Sequence, residues 1–144
     1  NHDFLLGLLY SWASGFQSGF LMKSEWFFFP LGSLFRALGG IPVNRKERSQ
    51  TVERIQRLLT ERGQMHIAIT PEGTRSRGEK WKSGFYHIAV AAGLPIELAV
   101  IDYKKKELGI FEVFHPTGDL EQDLSAIRSR YDSSQAKYPE KFTP

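Results

Sequence analysis

Met65-His66-Ile67-Ala68-Ile69-Thr70-Pro71-Glu72-Gly73-Thr74-Arg75-Ser76 is a small and branched apolar run that breaks abruptly into proline, glycine and arginine. The stretch from Met65 to Thr70 reads as a strand, and Pro71 lacks the N–H needed to extend its ladder. Gly73 admits a positive φ, and exposed amides beside the Thr74 and Ser76 hydroxyls can donate to phosphate oxygens. Arg75 adds a planar fork that fits two such oxygens at once. Glu72 cannot hold an anion directly and is read as the anchor of an arginine or of a substrate hydroxyl. Spacing alone favours a plainer alternative, an ordinary polar turn, because short motifs match by chance.

Working outward, strands and helices alternate. Upstream lies a helix capped by Ser49, with Val52, Ile55, Leu58 and Leu59 in one stripe and Gly63 as its stop. Before it come a strand at Ile41 to Asn44, an apolar helix over Trp26 to Leu38 ending at Gly39-Gly40, a strand at Gly19 to Lys23, and a leucine-rich helix at Phe4 to Trp12 stopped by Gly15. Downstream, Ser83 to Ala92 reads as a helix with Phe85, Ile88, Ala89 and Ala92 inward. Strands at Ile96 to Tyr103 and Ile110 to His115 flank a basic turn and pair antiparallel. Asp119 and Gln122 suggest a capping box before a stripe of Leu120, Leu124, Ile127 and Tyr131. The tail after Asp132 is expected to fray. This order predicts the α/β class, a single-domain sandwich over residues 1–144 in which helices flank a mostly parallel mixed sheet. Ligands of such sheets gather beyond the carboxyl ends of strands, which points to the loops after Val43 and Thr70.

The chain has 144 residues, 41% of them hydrophobic and 24% charged, the make-up of a folded domain rather than a disordered one. At this length folding removes roughly 68–70% of the extended chain's surface from water, so no metal or disulfide staple is needed. With no cysteine, disulfides, thiolate metal sites and a cysteine nucleophile are excluded. No apolar run reaches the roughly 18 residues that span a bilayer. A net charge of +3 suits an anionic partner without selecting one.

A second arginine follows a short strand in Gly40-Ile41-Pro42-Val43-Asn44-Arg45. Alone it reads rather as the basic, solvated start of a helix with Lys46 and Arg48. Taken together, however, the blocks Gly40 to Arg45, Pro71 to Ser76 and Ala92-Gly93-Leu94-Pro95-Ile96 resemble the PlsC-like glycerolipid acyltransferase family, the lysophosphatidate (1-acyl-sn-glycerol-3-phosphate) acyltransferases. Lys23-Ser24-Glu25 and Trp81 to Phe85 also look family-like. The resemblance implies a glycerol-3-phosphate acyltransferase-like fold. It implies transfer of a fatty acyl group from acyl-CoA or acyl-ACP to the hydroxyl of 1-acylglycerol 3-phosphate, with no metal or redox cofactor. Arg45, Glu72, Gly73, Thr74 and Arg75 would form the phosphate end. Other lipid acceptors, or a catalytically dead anionic-lipid binding domain, remain as alternatives.

The family's first block pairs a histidine with an aspartate, four residues lying between them. Asp3-Phe4-Leu5-Leu6-Gly7 resembles the segment opening at that aspartate, which would place the histidine before Asn1 and make the chain start inside the motif. Reading Asn1-His2 as the family's Asn-His pair instead puts Gly7 in the aspartate's place, and glycine cannot orient an imidazole. By the resemblance, the histidine is the general base and Asp3 holds its tautomer. The domain would span 1–144, with 132–144 as a tail.

His66, His87 and His115 lack paired ligand spacing and read as core-edge or surface residues. Glu97 interrupts a strand and reads either as an arginine partner near the site or as a solvated strand residue. Trp26-Phe27-Phe28-Phe29-Pro30 suits a bilayer interface, an acyl-chain slot or core packing. With Lys104-Lys105-Lys106 it suggests a peripheral membrane surface, at the cytoplasmic inner face, as a partner beside the thioester donor and the phosphorylated lipid. No basic stripe with interleaved aromatics suggests nucleic acid.

Overall fold

A computed structural model describes residues 2–15, 18–44, 48–63, 65–71 and 81–139. The fold is mixed α/β, a three-stranded parallel sheet with its helices and a separate antiparallel pair. The chain groups into two compact units, residues 8–69 and residues 1–7 with 70–144. Helix α1, His2–Ser14, runs through the division.

In the first unit, β1 (Ser18–Lys23) is the central strand. It pairs in parallel with β2 (Gly40–Val43) on one edge and β3 (His66–Ala68) on the other, Phe20 standing opposite both Gly40 and Ala68. Parallel neighbours need crossovers, supplied here by α2 (Leu31–Ala37) and α3 (Arg48–Arg62). Gly19 lets the sheet be covered closely, since a Cβ there would lie 2.7 Å from Ile41 Cδ1 and against Met65 Cε. Ile55 of α3 is fully buried, a placement worth about 1.5–3 kcal/mol. Val52, Leu58 and Leu59 flank it half-buried, as the stripe predicts.

Two expectations in this unit are corrected. The apolar run from Trp26 to Leu38 is not one helix. A 3₁₀ turn at Ser24–Trp26 gives way to α2 only after Pro30, because proline disfavours helical backbone at the residue before it. Ser49 lies inside α3, which already runs from Arg48, and so is not its cap.

In the second unit, α4 (Gly84–Ala92) precedes β4 (Ile96–Asp102), which pairs antiparallel with β5 (Glu107–Phe114). The second strand starts at Glu107 rather than Ile110. The turn closes within Tyr103 to Lys106, with Lys106 at φ +58° and the buried Asp102 carboxylate accepting the Lys105 N–H at 2.8 Å, so pairing resumes at once. Helix α5 (Leu120–Arg128) is capped by Asp119, which accepts the Gln122 N–H at 3.1 Å. Leu98, Leu124, Ile127, Ala89 and Tyr86 form the core. Tyr86 corrects the predicted inward face of α4, where Phe85, Ile88 and Ala92 are only half-buried. The residues after Asp132 do not fray at once: Ser133–Gln135 forms a 3₁₀ turn closed by a capping box between Asp132 and Gln135.

Candidate active site

Asp3 lies in the first turn of α1, where the unpaired N–H groups of a helix favour an acidic side chain. Its carboxylate is exposed, and its Oδ1 accepts a hydrogen bond from the Tyr103 hydroxyl. Tyr103 follows β4 directly. Its backbone N–H donates to the Gln135 carbonyl at 2.9 Å, and the Lys137 ammonium stands 5.7 Å from its ring centroid. The bond to Asp3, with partial burial and the nearby negative charge, pushes the Tyr103 phenol up to about 12. A carboxylate has about four acceptor positions, so Asp3 can receive a second donor while holding the phenol.

Pro71 and Lys82 bracket the segment that carries the proline-glycine-arginine motif. The Lys82 N–H donates to the Pro71 carbonyl at 2.8 Å, bringing the two ends of that segment together. Beside Lys82, Trp81 packs edge-on against Phe85 and Tyr131, with the Arg128 guanidinium 5.7 Å from its ring centroid.

Of the predicted site residues, Asp3 is placed as described. Arg45, Glu72, Gly73, Thr74 and Arg75 lie outside the described residues, as do the backbone of Asn1 and the side chain of His2. His87 and His115 are exposed and His66 half-buried, and no group of three potential metal ligands occurs among the described residues. Glu97 is exposed on β4. A hollow of about 390 Å³ lined by Ala89, Leu94, Pro95, His115, Thr117 and Gly118 includes none of the predicted site residues. Sequence reasoning missed Tyr103, Gln135 and Lys137. No local pattern marks them, because their relation to Asp3 spans nearly the whole chain.

Among the described residues, no helix is long and apolar enough to cross a membrane. Trp26, Phe28 and Leu34 are each more than half exposed and Phe29 is 89% exposed, so core packing does not account for this cluster. Phe27 alone turns partly inward, edge-on to Phe35 at 6.1 Å.

A parallel sheet with its crossover helices defines a protein of the α/β class. Residues 3–101, well over half of the chain, match the profile of the family described as Acyltransferase, and the chain belongs to that family. It is similar to the 1-acyl-sn-glycerol-3-phosphate acyltransferases of Salmonella typhimurium and Escherichia coli, in each case 36% identical over 70 residues covering 45% of this chain and 29% of theirs. The Haemophilus influenzae enzyme of the same name is 35% identical over 71 residues. The matched stretch thus spans under a third of the length of these relatives. No solved structure matches the chain.

Proposed function

We propose that the protein moves a fatty acyl group from a thioester, acyl-CoA or acyl-ACP, to the free hydroxyl of 1-acylglycerol 3-phosphate. The observation that carries this reading is Asp3, a carboxylate at the opening of α1 that coincides with the first residue of the family match and is held by a hydrogen-bond donor. The names of the relatives support the phosphorylated acceptor.

In this reading a histidine takes the proton of the acceptor hydroxyl while Asp3 holds its far N–H and stabilises the imidazolium. The hydroxyl oxygen attacks the thioester carbonyl, the carbon–sulfur bond breaks, and the thiol leaves with a proton returned by the imidazolium. No acyl group is transferred to the enzyme, which fits a chain without cysteine. Arg45 and Arg75 neutralise the acceptor phosphate, the Gly73 and Thr74 amides donate to it, and Glu72 fixes an arginine.

The acceptor is amphiphilic, and the exposed Trp26, Phe28 and Phe29 supply the means to reach it at a bilayer surface. The exposed lysines 104 to 106 would add attraction to anionic lipid, which supports a peripheral position on the inner face.

The test offers acyl-CoA or acyl-ACP with 1-acylglycerol 3-phosphate to the full-length protein, its Asp3→Ala variant and its Arg75→Ala variant. Asp3→Ala is expected to lower kcat by about 10²–10⁴ with little change in KM, the scale of general-base catalysis. Arg75→Ala is expected chiefly to raise the KM for the phosphorylated acceptor. Parental kinetics in both variants would overturn the site assignment.

A further inference from the structure

We propose that Tyr103 is a positioning residue of the acyl-transfer site, setting the orientation of the Asp3 carboxylate through its hydroxyl; this rests on the reading of Asp3 given above. An exposed aspartate on a helix start has several rotamers open to it, and a carboxylate that must hold an imidazole in one tautomer needs a single one. The Tyr103 hydroxyl occupies Oδ1 and leaves Oδ2 for the second donor.

Tyr103 can do this because it is itself held on several sides. Its N–H donates to the Gln135 carbonyl at 2.9 Å, and Lys137 lies over its ring. Lys137 also stands 5.6 Å from the ring centroid of Tyr138. On the other side, Asp102 is 4% exposed and ties down the turn through the Lys105 N–H. The segment that supplies Gln135 and Lys137 is locked by its own caps. Asp132 accepts the Ser134 N–H at 2.7 Å, and its N–H donates to Gln135 Oε1 at 3.1 Å. Residues 132–138 therefore act as a strap across the β4–β5 turn, aiming the phenol at α1. All of these groups belong to one compact unit. Tyr103 falls outside the family match, so this support is carried by the chain's own C-terminal segment.

The experiment is a double-mutant cycle on acyl transfer from acyl-CoA to 1-acylglycerol 3-phosphate by the full-length protein, using Tyr103→Phe, Asp3→Ala and the pair. Phenylalanine keeps the ring under Lys137 and deletes only the hydroxyl. Tyr103→Phe is expected to lower kcat about tenfold while both KM values stay within about twofold, and to cost no further activity once Asp3 is alanine. Parental kcat in Tyr103→Phe overturns the proposal. So does an equal loss in the Asp3→Ala background, because the hydroxyl would then act on the fold rather than through Asp3. An inactive parent would sink the functional reading and this proposal together, whereas an active parent indifferent to Tyr103→Phe sinks only the proposal.

Discussion

The Tyr86 hydroxyl on α4 donates to Oδ2 of Asp123 on α5 at 2.6 Å, and both residues are only 2% exposed. Asp123 also accepts the Thr117 N–H at 2.7 Å and the Thr117 hydroxyl at 2.9 Å, while the Gly118 N–H donates to the Tyr86 oxygen at 3.1 Å. Burial works against the charge on Asp123, yet the bonds from Tyr86 and Thr117 hold its carboxyl below the usual range. Burial and the bond to Asp123 push the Tyr86 phenol above its ordinary value. A satisfied network of this kind joins two helices and the loop before α5 into one arrangement, because removing any one member strands the others without water.

Asp123→Ala is therefore expected to lower the thermal midpoint by roughly 5–10 °C, and Tyr86→Phe by less, since the carboxylate keeps its Thr117 donors. The two effects should not add: with Asp123 gone, the Tyr86 hydroxyl has lost its acceptor. Thermal unfolding followed by circular dichroism measures all four corners. Additive losses would mean that the two side chains do not share one network.

Tyr103, like the buried Tyr86, should ionise later than an ordinary phenol. Hydrogen bonding to Asp3 comes first, then burial, with Asp3 and Tyr138 as neighbouring negative or ionisable groups and Lys137 as the neighbouring cation. A phenol raised from 10.0 to about 12 binds its proton more tightly in the folded state. Its stabilising contribution is whole below pH 10 and is lost as the pH rises towards about 12. An ultraviolet phenolate titration is expected to show a late phase that loses one phenol's amplitude in Tyr103→Phe, leaving that of Tyr86, and part of which moves down in Asp3→Ala. A late phase of undiminished amplitude in Tyr103→Phe would assign it elsewhere.

Asp132 runs the opposite way. Its bonds from the Ser134 backbone N–H and hydroxyl lower its carboxyl from 3.8. The stabilisation from this cap is thus present above 3.8 and lost as pH falls through the lowered value. Asp132→Asn is expected to flatten the acid side of the stability curve, read as the thermal midpoint between neutral pH and roughly pH 3. An unchanged acid limb would show that the strap over Tyr103 holds without this charge.

Those elements whose signals are local were legible in the sequence. Glycines 15, 39 and 63, read as helix stops, all take positive φ where their helices end. Ile55 and Ile127, picked from helical spacing, are 0% and 1% exposed. Tyr86 escaped because its burial depends on an acceptor 37 residues later, and a pattern of apolar spacing does not see a polar residue with a distant partner. The helix expected from Trp26 failed on one proline, whose steric effect on its predecessor outweighs the apolar pattern around it. Of the candidate site, Asp3 was singled out through its resemblance to a family block. Tyr103 lies a hundred residues away along the chain and could be found only in three dimensions.

The same substitution should have opposite signs at two glycines. Gly39 sits at φ +91° between α2 and β2, and a Cβ there would run into the Ser18 carbonyl oxygen at the start of β1. Its own carbonyl accepts the Phe20 N–H at 3.1 Å, so the strained backbone cannot swing away without breaking the sheet edge. Gly39→Ala is expected to cost about 1–3 kcal/mol, from the positive φ and the collision together. Gly7 lies within α1 with nothing within 4 Å of an added Cβ. Gly7→Ala should stabilise by about 0.5–1 kcal/mol, since alanine loses less backbone freedom in a helix. Urea unfolding of the two variants decides the matter. Stabilisation by Gly39→Ala would show that β1 and the α2–β2 turn do not approach as closely as the parallel pairing of Phe20 with Gly40 requires.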